Sequence, residues 1–318
     1  MDVKSFIKAA RLRTLPLSVS GIIVGSFLAG FKVHNHQNRI PNILEECLGC
    51  AQNERNYLIF ILAIFTTIGF QVLSNFANDY GDGIKGSDKN RTGEARMVAS
   101  GAITPKQMKS GMVVTSIITL IIALVLIYVA FGEDNFGYSI LFLLLGIASI
   151  MAAIKYTVGK SAYGYSGFGD VFVFVFFGFV SVVGSYFMYT KSINITIFLP
   201  AISVGLLSTA VLNLNNLRDR EEDLKNDKNT FVVKLGTEKA KKYHYFLIIS
   251  ALVSALIYVF LDFSSIYQLI FLVAFIPLLK NIKTVAQNKV PAELDSELKK
   301  VALSTFLFAI LLGIGLIF

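Results

Sequence analysis

Long apolar runs, broken by short charged blocks, are what most limit the folds open to this chain of 318 residues. A helix needs about 20 mostly apolar residues to cross the hydrocarbon core of a bilayer. Nine runs approach or meet that length: Leu15–Phe31, Tyr57–Phe76, Met112–Phe131, Tyr138–Ile154, Val171–Tyr189, Ile195–Leu214, Tyr245–Leu261, Ile266–Leu279 and Val301–Phe318. The eighth is short and calls for tilt, extension or partial burial. A backbone in lipid must satisfy its own hydrogen bonds, and these runs are too long for barrel strands. The fold class expected is therefore all-α and integral to the membrane, a bundle of about nine transmembrane helices forming one domain over residues 1–318. Composition agrees: 54% of the residues are hydrophobic and 16% charged, where a soluble domain carries roughly a quarter charged.

The basic residues set the orientation. With nine spans and a cytoplasmic N-terminus, cytoplasmic segments hold 25 of the 29 Lys and Arg, leaving only Lys32, Arg39, Arg55 and Lys191 on the other side. That asymmetry follows the positive-inside rule, and an eight-span arrangement breaks it at the last basic loop. The net charge of +8 is thus a topology signal. No loop is a folded basic domain with interleaved aromatics, so nucleic acid is not an expected partner. Lys4, Lys8, Arg11 and Arg13 ahead of an apolar run resemble a signal peptide, but the run is long enough to be retained and no small-x-small cleavage site follows.

Two of the cytoplasmic connections are long, Asp79–Gly111 and Asn215–His244, and each opens on an Asn- and Asp-rich segment. Asn75-Phe-Ala-Asn78-Asp79-Tyr-Gly-Asp82 opens the first. Asn213-Leu-Asn215-Asn216-Leu-Arg218-Asp219-Arg220-Glu221-Glu222-Asp223 opens the second, about 138 residues on. Their likeness suggests a weak internal duplication, common in membrane bundles. Residues three or four apart share a helix face, so Asn75, Asn78, Asp79 and Asp82, and likewise Asn216, Asp219 and Asp223, present clustered oxygen ligands at span ends. Such carboxylates repel one another. A divalent cation relieves the repulsion, and hard oxygen ligands select Mg²⁺, which binds few carboxylates plus substrate phosphates. Arg91, Arg96, Lys155 and Lys228 lie near enough in sequence to hold the remaining phosphate oxygens. The competing reading is a pair of solvated loop clusters beside a membrane.

At these residues the chain resembles the UbiA superfamily of intramembrane aromatic prenyltransferases, whose two motifs stand here as Asn78-Asp79-x-x-Asp82 and Asp219-x-x-x-Asp223. Within it, the chain is similar to the branch that prenylates 1,4-dihydroxy-2-naphthoate in menaquinone biosynthesis. Arg11-Leu-Arg13-Thr14-Leu15-Pro16 carries part of that likeness, as does Asn78 through Asp88 with Arg91-Thr-Gly-Glu-Ala-Arg96. Tyr156-Thr157 with Tyr163-Gly-Tyr165-x-Gly167-x-Gly169-Asp170 carries more, and Asn215-Asn216-Leu-Arg218-Asp219 with Lys228-Asn229-Thr230 and Leu235-Gly236 completes it. The chain departs from the pattern at Glu94 and near Lys160, where the family often has Pro, and the Lys32–Asn56 insertion is longer.

The resemblance implies that Asp79, Asp82, Asp219 and Asp223 hold Mg²⁺ and act in catalysis. It places Arg13, Asn75, Asn78, Asp88, Arg91, Arg96, Lys155, Tyr156, Tyr163, Asn215, Asn216 and Lys228 at the diphosphate and substrate sites. The partners implied are a polyprenyl diphosphate, 1,4-dihydroxy-2-naphthoate and the lipid bilayer, and the location a bacterial inner membrane with the active-site loops cytoplasmic. Prenylation in that branch proceeds with loss of CO₂ and gives a demethylmenaquinone. Tyr156, Tyr163 and Tyr165 can stabilise an allylic cation, or anchor the chain at the interface.

Other features point less far. Cys47 and Cys50 near His34 and His36 have the ligand types of a Zn²⁺ site, and equally of a local disulfide. Gly21-x-x-x-Gly25 permits close helix approach. His244 falls where a loop meets a span. The alternatives are a different acceptor, such as 4-hydroxybenzoate or haem, and, from another class, a secondary transporter. A transporter usually keeps its site near the midplane, whereas these acids lie at one face.

Overall fold

A computed structural model describes residues 3–36, 43–86, 96–159, 162–261 and 263–317, with only the backbone described for 31–36 and 43–52. Cys47, Cys50, His34 and His36 therefore have side chains outside the described residues, as do Asp88 and Arg91 entirely.

The described residues form helices and connecting turns, without strands. A short helix α1 (Val3–Ala10) leads through a 3₁₀ turn at Leu12–Thr14 into α2 (Leu15–His36). There follow α3 (Ile43–Lys85), α4 (Pro105–Phe131), α5 (Phe136–Lys155) and the continuous helical stretch α6 (Gly169–Thr190). Then come α7 (Phe198–Lys225), the short α8 (Phe231–Leu235), α9 (Thr237–Leu261), α10 (Leu272–Gln287) and α11 (Leu294–Gly315). Among the described residues, nine stretches are long and apolar enough to cross a membrane, counting α1 with α2 as one. The eighth gains its length from a 3₁₀ turn at Ile266–Leu269 ahead of α10, and spans Ile266–Gln287.

The helices outrun the apolar runs, and this changes where the acidic segments sit. α3 continues to Lys85 and α7 to Lys225, so both lie on regular helix rather than in loops. Polar residues with ordinary helix propensity extend a helix when its flank is packed. The two long connections shrink accordingly, the second further because α9 begins at Thr237.

Packing divides the bundle. α3 runs along α4, α7 is gripped between α6 and α9, and α11 lies on α2, α7 and α10. One large core joins α2, α6, α7, α9, α10 and α11 around residues such as Leu207, Leu214, Ala251, Phe275 and Phe308, and a second lies under α1, between α3 and α4. Close approach rests on small residues, as in other membrane bundles. A Cβ added to Gly25 of α2 would come within 2.2 Å of the Val182 carbonyl oxygen and 2.0 Å of Ser185 Oγ on α6. Residues Phe174–Val183 of α6 are π-helical, a geometry often found at functional sites. Polar groups also bridge buried helices: Ser203 donates to the Ala251 carbonyl at 2.9 Å. His244 is fully buried and meets Asn281 at 2.7 Å, and Asn281 donates to Glu297 at 2.7 Å. The loop-boundary position expected for His244 is thereby corrected, because α9 starts a full two turns earlier than its apolar run.

Candidate active site

The acidic end of α3 is held in place by contacts that its glycines permit. A Cβ at Gly81 would meet the Thr157 carbonyl at 2.8 Å, and one at Gly83 would meet the Val98 side chain at 2.7 Å. Glycine at both positions lets the segment after α5 and the turn at Arg96–Gly101 close directly onto the helix. Asp79 and Asp82 then meet different surroundings. Asp79 accepts from the backbone N–H groups of Met97 (2.9 Å) and Val98 (2.8 Å), one on each oxygen, and is 1% exposed. It does not line the cavity described below. Asp82 does line it, accepting from the Tyr165 hydroxyl at 2.8 Å and from Arg96 at 3.4 Å.

Asn78 and Asn75 sit one and two turns back from Asp82 along α3, and both line the cavity. Asn75 donates to the Ala10 carbonyl (2.8 Å) and to Thr14 Oγ1 (3.1 Å), fastening the lead-in of α2 to α3. Asn78 accepts from Thr157 Oγ1 at 3.2 Å.

On α7 the acids are engaged by their own basic neighbours. The Arg218 guanidinium forks onto Asp219, Nε to Oδ1 at 2.7 Å and a terminal nitrogen to Oδ2 at 2.8 Å, and also donates to Asn215 at 2.8 Å. Asp223 is buried beside Lys228 Nζ at 3.3 Å, and its Oδ2 has no hydrogen-bond partner. It lies near enough to Asp219 and Asp82 to feel both charges. Asn215 and Lys228 line the cavity; Asn216, Asp219 and Asp223 are not part of its lining. Asn216 is buried on α7, and Lys155 is exposed at the end of α5, away from the cavity.

The segment after α5 joins the two acidic ends. Tyr165 donates its hydroxyl to Asp82 and accepts at its carbonyl from Asn229 N–H at 3.0 Å. Lys85 Nζ lies 3.7 Å and Lys228 Nζ 5.5 Å from the centre of its ring. Tyr156 and Tyr163 meet edge to face at 5.3 Å, Tyr163 stacks on Phe172 at 3.9 Å, and its hydroxyl donates to the Ala152 carbonyl at 2.8 Å. Burial raises the pKa of both phenols, for Tyr156 with a further push from Asp170, Asp82 and Asp223. Both are therefore neutral hydrogen-bonding rings in the physiological range.

These groups surround one end of a cavity of about 400 Å³. At that end stand Asp82, Arg96, Lys228, Asn78, Arg11 and Arg13. The rest of its wall is largely apolar and aromatic, with Phe70, Leu126, Phe142, Phe176, Phe177 and Met188 among the lining and Ser and Thr hydroxyls between them. The shape suits a molecule with an anionic head and a long apolar tail. Sequence reasoning missed Arg218 as a ligand to Asp219, Asp295 as its further partner, and the Tyr165–Asp82 contact. Asp295 carried a signal only as one more charge before the last apolar run.

The acids fit a hard cation of the Mg²⁺ type in a particular way. Among the described residues, no three His, Cys, Asp or Glu gather into a closed metal centre. The unpartnered Asp223 oxygen and the cavity-facing Asp82 instead offer sparse oxygen ligation, as suits an ion that keeps waters and shares substrate phosphates.

A membrane-spanning α-bundle enclosing an amphipathic cavity, with acids and cations at one end, is the class of protein defined here. The match to the model of the UbiA prenyltransferase family covers residues 48–315, and the chain belongs to that family. It is similar to the 1,4-dihydroxy-2-naphthoate octaprenyltransferase of Escherichia coli (strain K12), at 37% identity over 98% of this chain and 95% of that one. It is also similar to the protein of the same name from Haemophilus influenzae, at 39% identity over 99% and 96%. The fold is shared with a solved structure described as "Structural and mechanistic insights into the biosynthesis of Digeranylgeranylglyceryl phosphate synthase in membranes". The TM-score of that match is 0.55 at 18% identity, over 98% of both chains.

Proposed function

We propose that this chain transfers a polyprenyl group from a polyprenyl diphosphate to 1,4-dihydroxy-2-naphthoate, releasing diphosphate and CO₂ and forming a demethylmenaquinone. The observation that carries the reading is the two-ended cavity, in a chain similar along nearly its whole length to proteins named for that acceptor.

The diphosphate head fits the end holding Arg96 and Lys228, with the tail along the apolar wall. Mg²⁺ held by Asp82 and Asp223, with Asn78 beside them, would neutralise charge building on the leaving diphosphate. Asp219 would join the set if Arg218 released one of the Asp219 carboxylate oxygens, and Asp79 serves by holding the Met97–Val98 turn. As the allylic C–O bond breaks, its electron pair leaves with the diphosphate, and Arg96 and Lys228 meet the new charge. The electron-rich ring carbon that bears the carboxylate forms the new C–C bond. The bond to the carboxylate then breaks, CO₂ leaves, and its electron pair returns to the ring. The Tyr156, Tyr163 and Phe172 faces shield the allylic cation from water and favour positive charge over their π-systems. The basic ends of the spans support a cytoplasmic position for these groups, which this reading puts at a bacterial inner membrane.

The test is acceptor competition. Purified protein in detergent receives a polyprenyl diphosphate, Mg²⁺ and equal 1,4-dihydroxy-2-naphthoate and 4-hydroxybenzoate, and products are read by mass spectrometry. Prenylated naphthoquinol alone is the expected product. Prenylated 4-hydroxybenzoate alone would overturn the acceptor.

A further inference from the structure

We propose, resting on the reading of the site given above, that Asp295 is a positioning residue for the second acidic segment. It fixes Arg218 and balances its charge, and thereby sets the orientation and the cation affinity of Asp219. Asp295 belongs to neither acidic motif and reaches Arg218 from 77 residues away, in the first turn of α11.

The side chain of Arg218 is only 1% exposed. A guanidinium does not give up its proton in a protein, so a buried one needs acceptors on every side. Nε and one terminal nitrogen are used on Asp219 and Asn215. The other terminal nitrogen points away from the motif and pairs with Asp295 Oδ1. Asp295 uses its second oxygen on Arg13, at 3.3 Å. Cations and anions thus alternate along a chain, Arg13–Asp295–Arg218–Asp219, linking the lead-in of α2, the start of α11 and the end of α7. The helix start favours a carboxylate at 295, and the packing of α11 on α2 and α7 delivers it there.

The chain controls how Asp219 is seen by a cation. With Asp295 present, Arg218 divides its charge between two carboxylates and Asp219 keeps part of its own. With Asn at 295, the cluster is one unit more positive than in the wild type and Arg218 loses its carboxylate on α11. A divalent cation approaching Asp219 is then repelled. Removing Arg13 as well returns the cluster to its wild-type net charge without restoring the contact.

The measurement is Mn²⁺ binding, as a stand-in for Mg²⁺, to the full chain in detergent, read by the paramagnetic resonance of the free ion. Asp295→Asn is expected to raise the dissociation constant on the order of fivefold, as one unscreened charge in a half-buried site implies. Asp295→Asn with Arg13→Gln is expected to recover to within about twofold of wild type, and Asp295→Glu to stay near it. Unchanged binding in Asp295→Asn, or a double variant as weak as the single, would overturn the proposal, since a packing role makes the double variant worse. Should Asp295→Asn fail to fold, Arg13→Gln alone decides: tighter binding supports the proposal, and equal or weaker binding overturns it. Wild-type protein that bound no Mn²⁺ would overturn the metal reading of the site and this proposal together. Wild-type binding with an unaffected Asp295→Asn overturns this proposal alone.

Discussion

Asp79 and Asp82 are both acids of one motif on one helix, yet they make different contacts and should fail differently. Asp79 satisfies two buried backbone N–H groups. Each left unpaired costs about 1–3 kcal/mol, so Asp79→Ala should lower the thermal unfolding midpoint in detergent and lose activity through the displaced Arg96–Gly101 turn. Asp82→Asn keeps the shape and the hydroxyl contact. It should cut turnover by roughly a hundredfold or more, as loss of a charged transition-state contact does, with the midpoint little changed. Comparing midpoints with turnover across the two variants checks this. Spacing placed both residues at a span end, and it could not separate them. Three residues along a helix is a rotation of about 300°, and the partner that fills the remaining angle comes from elsewhere in the chain. Tyr165 was legible as an aromatic in the right loop, but its hydroxyl contact to Asp82 depends on a fold-back that no local pattern encodes. For Tyr156 and Tyr163 the raised pKa keeps the folded phenols neutral while the unfolded chain ionises near pH 10. Their contribution to stability is therefore complete below about pH 10 and is lost above it. Spectrophotometric titration should find both un-ionised until the protein unfolds.

Among the helices, the apolar runs marked the spans, while their ends were misplaced wherever polar residues continue a packed helix. α3 and α7 carry their acids as extra turns because Gly81 and Gly83 on one, and Arg218 on the other, give those turns partners. Hydropathy registers a change of solvent and does not register that packing. Gly21 and Gly25 were readable as a close-packing pair, but their partner, the π-helical part of α6, was not. Gly25→Val should separate α2 from α6 and destabilise by roughly 1–3 kcal/mol, the usual cost of overpacking. Gly30, which has no atom of the described residues within 4 Å of an added Cβ, makes the control: Gly30→Ala should leave the unfolding midpoint unchanged within error. Equal loss in both would show that α2 does not seat on α6 through Gly25.

Across the bundle, the nine spans found among the described residues were legible because they follow from transferring a chain into lipid. The cavity was not, since its wall draws side chains from spans far apart in sequence. Its apolar length should govern which donors are accepted. Ala123 lines it from α4 and is 6% exposed. Ala123→Phe should raise KM for an eight-isoprene diphosphate by about tenfold, the effect of roughly 1.4 kcal/mol, and leave a two-isoprene diphosphate nearly unaffected. Equal effects on both donors would mean that the tail lies elsewhere.

The proposed reaction couples prenyl transfer and decarboxylation on one acceptor within this cavity. Release of labelled CO₂ from carboxyl-labelled 1,4-dihydroxy-2-naphthoate, counted against prenylated product, reads both events at once in purified protein given a polyprenyl diphosphate and Mg²⁺. Label should leave in step with product, at one CO₂ per prenyl group, and Asp82→Asn should stop both. Prenylated product that retains its label, or CO₂ lost without a prenyl donor, would contradict this mechanism.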